Sequence, residues 1–309
     1  MFLLMAVDLS FVRENIKLIL LLSFFVLVLT LLPGISRQVG GAKRWLRIGM
    51  IGFQPSELVK IIFIVYIADY LSRKQKIINN FYNGFCPIMV ALFIPVLLIL
   101  LQPDLGTAFS LFCVTFLMLF MTGLDFKYFL GIVGISIPAL YVIIFSSAYR
   151  RARILSFLDP WSDPKGIGFQ IIQSQIALGS GGLFGLGIGQ GRQKLFYLPA
   201  AHTDFIFSVI TEEIGIMGAM IVISIFGFLL WQMVTVAKLC NDDFCKNLTI
   251  GLTILFALET TINIGVSLGL LPTKGLPLPF VSYGGSALVF EMAAMGLFLN
   301  ASKSDETLY

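Results

Sequence analysis

The sequence predicts an all-α polytopic integral membrane protein, and three observations predict it. Hydrophobic residues make up 58% of the 309-residue chain. Charged residues make up only 12%, where a soluble domain carries about 25%. The apolar residues fall in long blocks, near the roughly 20 residues that cross a bilayer, and the mean hydropathy is +0.94. A β-barrel would instead show short alternating strands.

About eight spans are expected within a single membrane domain 1–309, at 14–33, 56–72, 86–102, 105–122, 128–147, 205–236, 247–270 and 280–300. Met1 to Val7 is apolar but lacks a basic n-region and a cleavage site, so no signal peptide is expected. Pro33-Gly34 closes the first span and Leu271-Pro272 the seventh. Pro103 and the run Asp104-Leu105-Gly106 divide an apolar stretch too long for one crossing. The short basic loop Arg73-Lys74-Gln75-Lys76 belongs in the cytoplasm. Alternation then puts Lys127, 237–246 and the C-terminal tail inside, and 34–55, 103–104, 148–204 and 271–279 outside.

That orientation makes the outer side basic. It carries Arg37, Lys43, Arg44, Arg47, Arg150, Arg151, Arg153, Lys165, Arg192, Lys194 and Lys274. The charge rule alone would not choose it, although long loops largely escape that rule. A basic outer face fits an anionic substrate, and no nucleic-acid partner is expected. The segment 148–204 is too long for an idle connector. Its apolar middle, Ile167 to Ile176, and the glycine-dense run Gly179 to Gly189 suggest a partly inserted helix followed by a re-entrant loop.

Ionisable residues within the spans are costly and therefore informative. Glu57 and Lys60 stand at i, i+3, where they can pair with each other, or Lys60 can face a polar cavity. Glu212 and Glu213 diverge by about 100° on a helix, so at most one would face the site ahead of it. Glu259 and Asn263, at i, i+4, read as helix–helix glue, and Asp69 as an interfacial residue. His202 and Asp204 lie just before a span. Asp204 is either a helix N-cap or a general base; His202 orients it, binds substrate or packs.

Lys43-Arg44-Trp45-Leu46-Arg47 reads as an interfacial anchor or as a phosphate clamp, and Arg150, Arg151, Arg153 and Lys274 favour the clamp. The chain has four cysteines and one histidine. Cys86 and Cys113 read as packing residues, Cys240 and Cys245 as unpaired thiols, and no spacing marks a metal site.

Several motifs together resemble one family. They are Gly41-Ala42-Lys43-Arg44-Trp45, Gln54-Pro55-Ser56-Glu57-Leu58-Val59-Lys60, Gln102-Pro103-Asp104-Leu105-Gly106-Thr107, Gly168-Phe169-Gln170-Ile171-Ile172-Gln173-Ser174, His202-Thr203-Asp204-Phe205-Ile206-Phe207, Glu212-Glu213-Ile214-Gly215 and Leu276-Pro277-Leu278-Pro279-Phe280-Val281-Ser282-Tyr283-Gly284-Gly285-Ser286. Their order resembles that in the SEDS proteins (shape, elongation, division and sporulation) across nearly the whole chain. Pro272-Thr273-Lys274-Gly275 resembles the division branch more than the elongation branch.

The resemblance implies a peptidoglycan glycosyltransferase of the bacterial cytoplasmic membrane that polymerises lipid II at the outer face during cell division. It implies a class B penicillin-binding protein as transpeptidase partner, alongside other divisome proteins. It puts the catalytic aspartate at Asp204 and substrate-binding positions at Arg44, Lys60, Gln173, His202 and Lys274, joined by Arg150, Arg151 and Arg153. Lys43, Trp45, Glu57, Asp104, Glu212 and Ser282 are the expected supporting residues. No cofactor is called for; assistance by a divalent cation, Mg or Mn, is left open.

Two features depart from the family pattern. Ala200 stands where the family usually has glutamate, and the family has ten spans, with Met1 to Leu9 resembling the tail of the second. Two rival readings use the same residues: a flippase for the same lipid, or a non-catalytic divisome scaffold.

Overall fold

A computed structural model describes the chain except residues 33–35, 40–41, 49–50, 194–197, 274 and 304–309. Side chains are also left undescribed at 37–39, 42–43, 47–48 and 51. The described residues form α1 (Phe2–Met5), α2 (Leu9–Leu29), α3 (Pro55–Lys74), α4 (Cys86–Leu101), α5 (Leu105–Met121), α6 (Phe126–Phe145), α7 (Ala148–Leu158), α8 (Phe169–Ser180), α9 (Ile206–Leu239), α10 (Asp243–Ser267) and α11 (Gly285–Lys303). A helix overlies each predicted apolar segment, with shifted ends. α2 starts earlier than expected because Asp8 caps it, accepting from the Ser10 amide at 2.8 Å. α11 starts later, at Gly285.

The chain is a polytopic helical membrane protein, and burial runs opposite to hydropathy as a lipid solvent requires. In α6, with mean hydropathy 2.2, only 6% of the apolar window is buried; in α10, with 1.5, 67% is buried. The most apolar helix surfaces are thus turned away from the protein interior.

Two compact units divide the chain, with boundaries inside α9 and α10. The first comprises Met1–Asp125, Leu230–Leu258 and Gly284–Tyr309. Its centre is α3, where Val59, Phe63 and Ile67 are fully enclosed. Pro55 opens this helix at N1, where a missing N–H costs nothing. Polar residues of α3 are matched inside the unit. Lys60 Nζ lies 2.8 Å from Glu57 Oε2. Asp69, expected at an interface, is 5% exposed and accepts from Arg13 Nε and Arg73 Nε, each at 2.8 Å. Burying one carboxylate under two guanidinium groups compensates its desolvation.

The segment 34–55, expected as a loop, contains a small antiparallel sheet. Strands β1 (Ser36–Val39), β2 (Ala42–Ile48) and β3 (Ile51–Phe53) pair in that order, with Arg37 opposite Trp45 and Leu46 opposite Phe53.

The second unit comprises Phe126–Leu229 and Glu259–Tyr283. Here 148–204 holds the helices α7 and α8, and a glycine-rich turn follows α8. α9 is broken at Gly215, whose φ of 77° and ψ of −175° suit only glycine. A break inside an apolar helix strands backbone groups that lipid cannot satisfy. The glycine-rich turn supplies the partners. Leu186 and Gly187 donate to the carbonyls of Glu212 and Glu213 at 3.0 Å each, and Ile216 and Met217 donate to those of Gly182 and Leu183 at 3.0 and 3.2 Å.

Candidate active site

The residues ahead of α9 form a tight turn around one carbonyl. Ala200 O accepts from the amides of Thr203 (3.1 Å) and Asp204 (3.1 Å), and from Thr203 Oγ1 (3.2 Å). Ala200 itself has φ of 57°, the left-handed conformation, with an exposed side chain. The first residue of α9 is Ile206, so Asp204 stands outside the cap position of that helix.

Three successive carbonyls of this turn are then held from elsewhere in the unit. His202 O accepts from the Tyr283 amide at 2.8 Å, Thr203 O from Ser282 Oγ at 2.6 Å, and Asp204 O from Asn263 Nδ2 at 3.2 Å. Ser282 Oγ also accepts from the Leu278 amide at 2.8 Å, and Asn263 Nδ2 also donates to Leu276 O at 2.8 Å. The backbone carrying His202 and Asp204 is therefore clamped to the 276–283 segment. Asp204 remains half-buried and His202 exposed, so neither side chain is sealed in the interior. A Cβ built on Gly275 would lie 3.5 Å from Asp204 Oδ2, which puts the carboxylate beside that segment.

α8 is fixed next to this turn. Ser174 Oγ lies 2.7 Å from Ser208 Oγ and donates to Ser267 O at 2.8 Å, joining α8 to α9 and α10. Gln173, its neighbour in sequence, is half-buried. Arg153 donates to Thr273 O at 3.2 Å and stacks over the Tyr149 ring at 4.6 Å, so it reaches the residue before Lys274. Arg150 is half-buried and Arg151 exposed on the same helix. Lys274 lies outside the described residues, as does the side chain of Lys43.

Glu212 is turned to the stretch after α8. Only 1% exposed, it accepts from the amides of Arg192 (2.8 Å) and Gln193 (3.3 Å), while Glu213 accepts from the Gly189 amide at 3.0 Å. Both neighbours address the same glycine-rich stretch because that stretch wraps the broken helix. Asn263 also departs from the expectation of helix–helix glue: its acceptors are carbonyls of two non-helical segments.

Within the first unit, Arg44 is committed to the turn at 102–104. Its Nε donates to Gln102 O at 3.3 Å and lies 3.7 Å from Asp104 Oδ2, and its Nη2 donates to Pro103 O. Asp104 caps α5, accepting from the Thr107 amide at 3.2 Å and from Thr107 Oγ1 at 3.0 Å. A third of the Arg44 side chain remains accessible. Trp45 packs across to β3, with a Cβ position on Gly52 at 3.3 Å from its ring. Lys60 is 2% exposed and paired with Glu57. Among the described residues, no three His, Cys, Asp or Glu side chains come together to hold a metal ion.

Residues 1–307 match the family of FtsW, RodA and SpoVE, described as "Cell cycle protein". The chain is 46% identical over 280 residues to a probable peptidoglycan glycosyltransferase FtsW of Geobacter sp. (strain M18), covering 91% of this chain and 76% of that protein. It is 42% identical over 305 residues to the stage V sporulation protein E of Bacillus subtilis (strain 168), covering 98% and 83%. Among solved structures, it is similar to a chain described under "Structural coordination of polymerization and crosslinking by a peptidoglycan synthase complex", with TM-score 0.81, 32% identity and 98% and 85% coverage. It is also similar to the rod shape determining protein RodA of Thermus thermophilus, with TM-score 0.69, 26% identity and 98% and 83% coverage. A match over nearly the whole chain, in sequence and in fold, makes this protein a member of the FtsW/RodA/SpoVE family, the SEDS proteins.

Proposed function

We propose that this chain is a peptidoglycan glycosyltransferase that polymerises lipid II at the outer face of the bacterial cytoplasmic membrane, in wall synthesis at division. One observation carries the reading: Asp204 is a half-buried carboxylate on a turn whose carbonyls at 202, 203 and 204 are each held by a donor from 263 or 282–283. Such fixing suits a general base, which must meet its proton within hydrogen-bond reach. The relatives named as FtsW glycosyltransferases support the substrate class.

In the proposed step, Asp204 takes the proton from the 4-hydroxyl of the acceptor's N-acetylglucosamine. That oxygen bonds to the anomeric carbon of the donor's N-acetylmuramic acid with inversion. The bond from that carbon to the phosphate oxygen breaks, and undecaprenyl pyrophosphate leaves with the electron pair. Cations beside residues 273–275 would stabilise the leaving charge; Arg153, in contact with Thr273, and Lys274 are the proposed pair. The step is written without a divalent cation. A class B penicillin-binding protein is the proposed transpeptidase partner, in keeping with the similar chain from a synthase complex.

The test is the purified full chain, alone and co-purified with a class B penicillin-binding protein from the same genome, given labelled lipid II. Glycan ladders with release of undecaprenyl pyrophosphate are expected. Transbilayer movement of lipid II in proteoliposomes, with no polymer from either preparation, would contradict the proposal and favour a flippase.

A further inference from the structure

We propose that Asn263 is a positioning residue for Asp204, holding the general base in register with the 275–276 segment; this rests on the reading of Asp204 as that base. Asn263 lies on α10, 1% exposed, and its single Nδ2 bridges Asp204 O at 3.2 Å and Leu276 O at 2.8 Å. It hydrogen-bonds both the Asp204 carbonyl itself and the backbone next to Gly275, whose Cβ position lies 3.5 Å from the carboxylate.

Among neutral side chains, the chemistry of the site calls for an amide. Both acceptors are carbonyls, so the group between them must donate twice and accept from neither. A hydroxyl donates once, and a carboxylate would repel both carbonyls. The other end of the side chain argues against a purely stabilising role. Asn263 Oδ1 is buried without a hydrogen-bond partner among the described residues. A buried acceptor left unmatched is a cost, and an apolar residue of the same size would avoid it. What the asparagine supplies in exchange is the double donation. The chain uses the same device at Asn300, whose Nδ2 bridges Leu4 O at 2.7 Å and Val7 O at 2.6 Å across the joint between α1 and α2.

Releasing the Asp204 carbonyl leaves the carboxylate in place but loosens its backbone relative to residues 275–276. A misplacement of about 1 Å of a catalytic group costs on the order of 10²-fold in rate. Binding surfaces for lipid and sugar are not altered, so the loss belongs in kcat.

The test compares the full chain with Asn263→Leu, which deletes the donor at equal size, and Asn263→Gln, which keeps the amide. Lipid II polymerisation kinetics are measured together with thermal unfolding in detergent. Asn263→Leu is expected to fold, lower kcat by about 10- to 100-fold and leave KM within about twofold, with Asn263→Gln recovering at least part of kcat. Wild-type kcat in Asn263→Leu, or a loss matched by the loss of folded protein and not recovered by Asn263→Gln, would overturn the proposal. If Asp204→Ala also retained wild-type activity, the underlying reading of the base would fall as well; an inactive Asp204→Ala beside a fully active Asn263→Leu would overturn the positioning role alone.

Discussion

Glu212 accepts the backbone N–H of Arg192 at 2.8 Å while being 1% exposed, which makes it a buried anchor for the loop that precedes the Asp204 turn. The carboxylate has no room to reach solvent and satisfies the loop amides instead. Replacing it with alanine would leave those amides unpaired. A buried unpaired polar group costs about 1–3 kcal/mol each. Glu212→Ala is therefore expected to lower the unfolding temperature clearly in detergent, and to make the 189–193 stretch cleavable by protease. Glu212→Gln, which retains one acceptor oxygen, is expected to lose less.

Gly185 and Gly215 are each required twice over. Both have positive φ, at 83° and 77°, and an added Cβ would fall 2.1 Å from Glu213 O at position 185 and 2.4 Å from Leu183 O at position 215. Alanine at either site should destabilise by about 3 kcal/mol or more, combining strain with steric conflict. Gly227→Ala is the control, because a Cβ there meets nothing within 4 Å and the residue lies inside α9. It is expected to be neutral or to stabilise by up to about 1 kcal/mol. Thermal unfolding of the three variants in one detergent separates these outcomes.

The Glu57–Lys60 pair, at 2.8 Å and almost fully buried, gives a third prediction. Removing one partner leaves an uncompensated buried charge, at a cost of about 3–5 kcal/mol, whereas removing both is far milder. Lys60→Met should thus destabilise strongly, and the double variant Glu57→Gln/Lys60→Met should recover most of the loss. A double-mutant cycle on unfolding free energies measures the difference.

The helices were legible because each apolar block leaves one physical option in lipid. The sheet has a weaker signal, Gly40-Gly41 between short runs containing Arg37 and Trp45, set in a polar segment that otherwise reads as a loop. The glycine density at 179–189 pointed to irregular backbone, but not to its partner. That partner is the break at Gly215, and a pairing between remote segments has no local signature. Asn263 and Glu259 shared a helical face on paper; the acceptors of Asn263 are fixed only once 204 and 276 are brought to α10. Lys60 illustrates the reverse case, where i, i+3 spacing with Glu57 already described the observed ion pair. Ala200 keeps its side chain exposed, and the hydrogen bonds of the turn run to its carbonyl rather than to that side chain.

The central claim is that Asp204 is the base. The most direct measurement is polymerisation of labelled lipid II by Asp204→Ala and Asp204→Asn, alongside thermal unfolding and lipid II binding. The Asp204 carbonyl bonds survive both substitutions, so folding and binding are expected to stay near wild type. General-base catalysis is worth about 10²- to 10⁴-fold, and polymer formation should fall by at least the lower figure. Polymerisation at near wild-type rate by either folded variant would contradict the account.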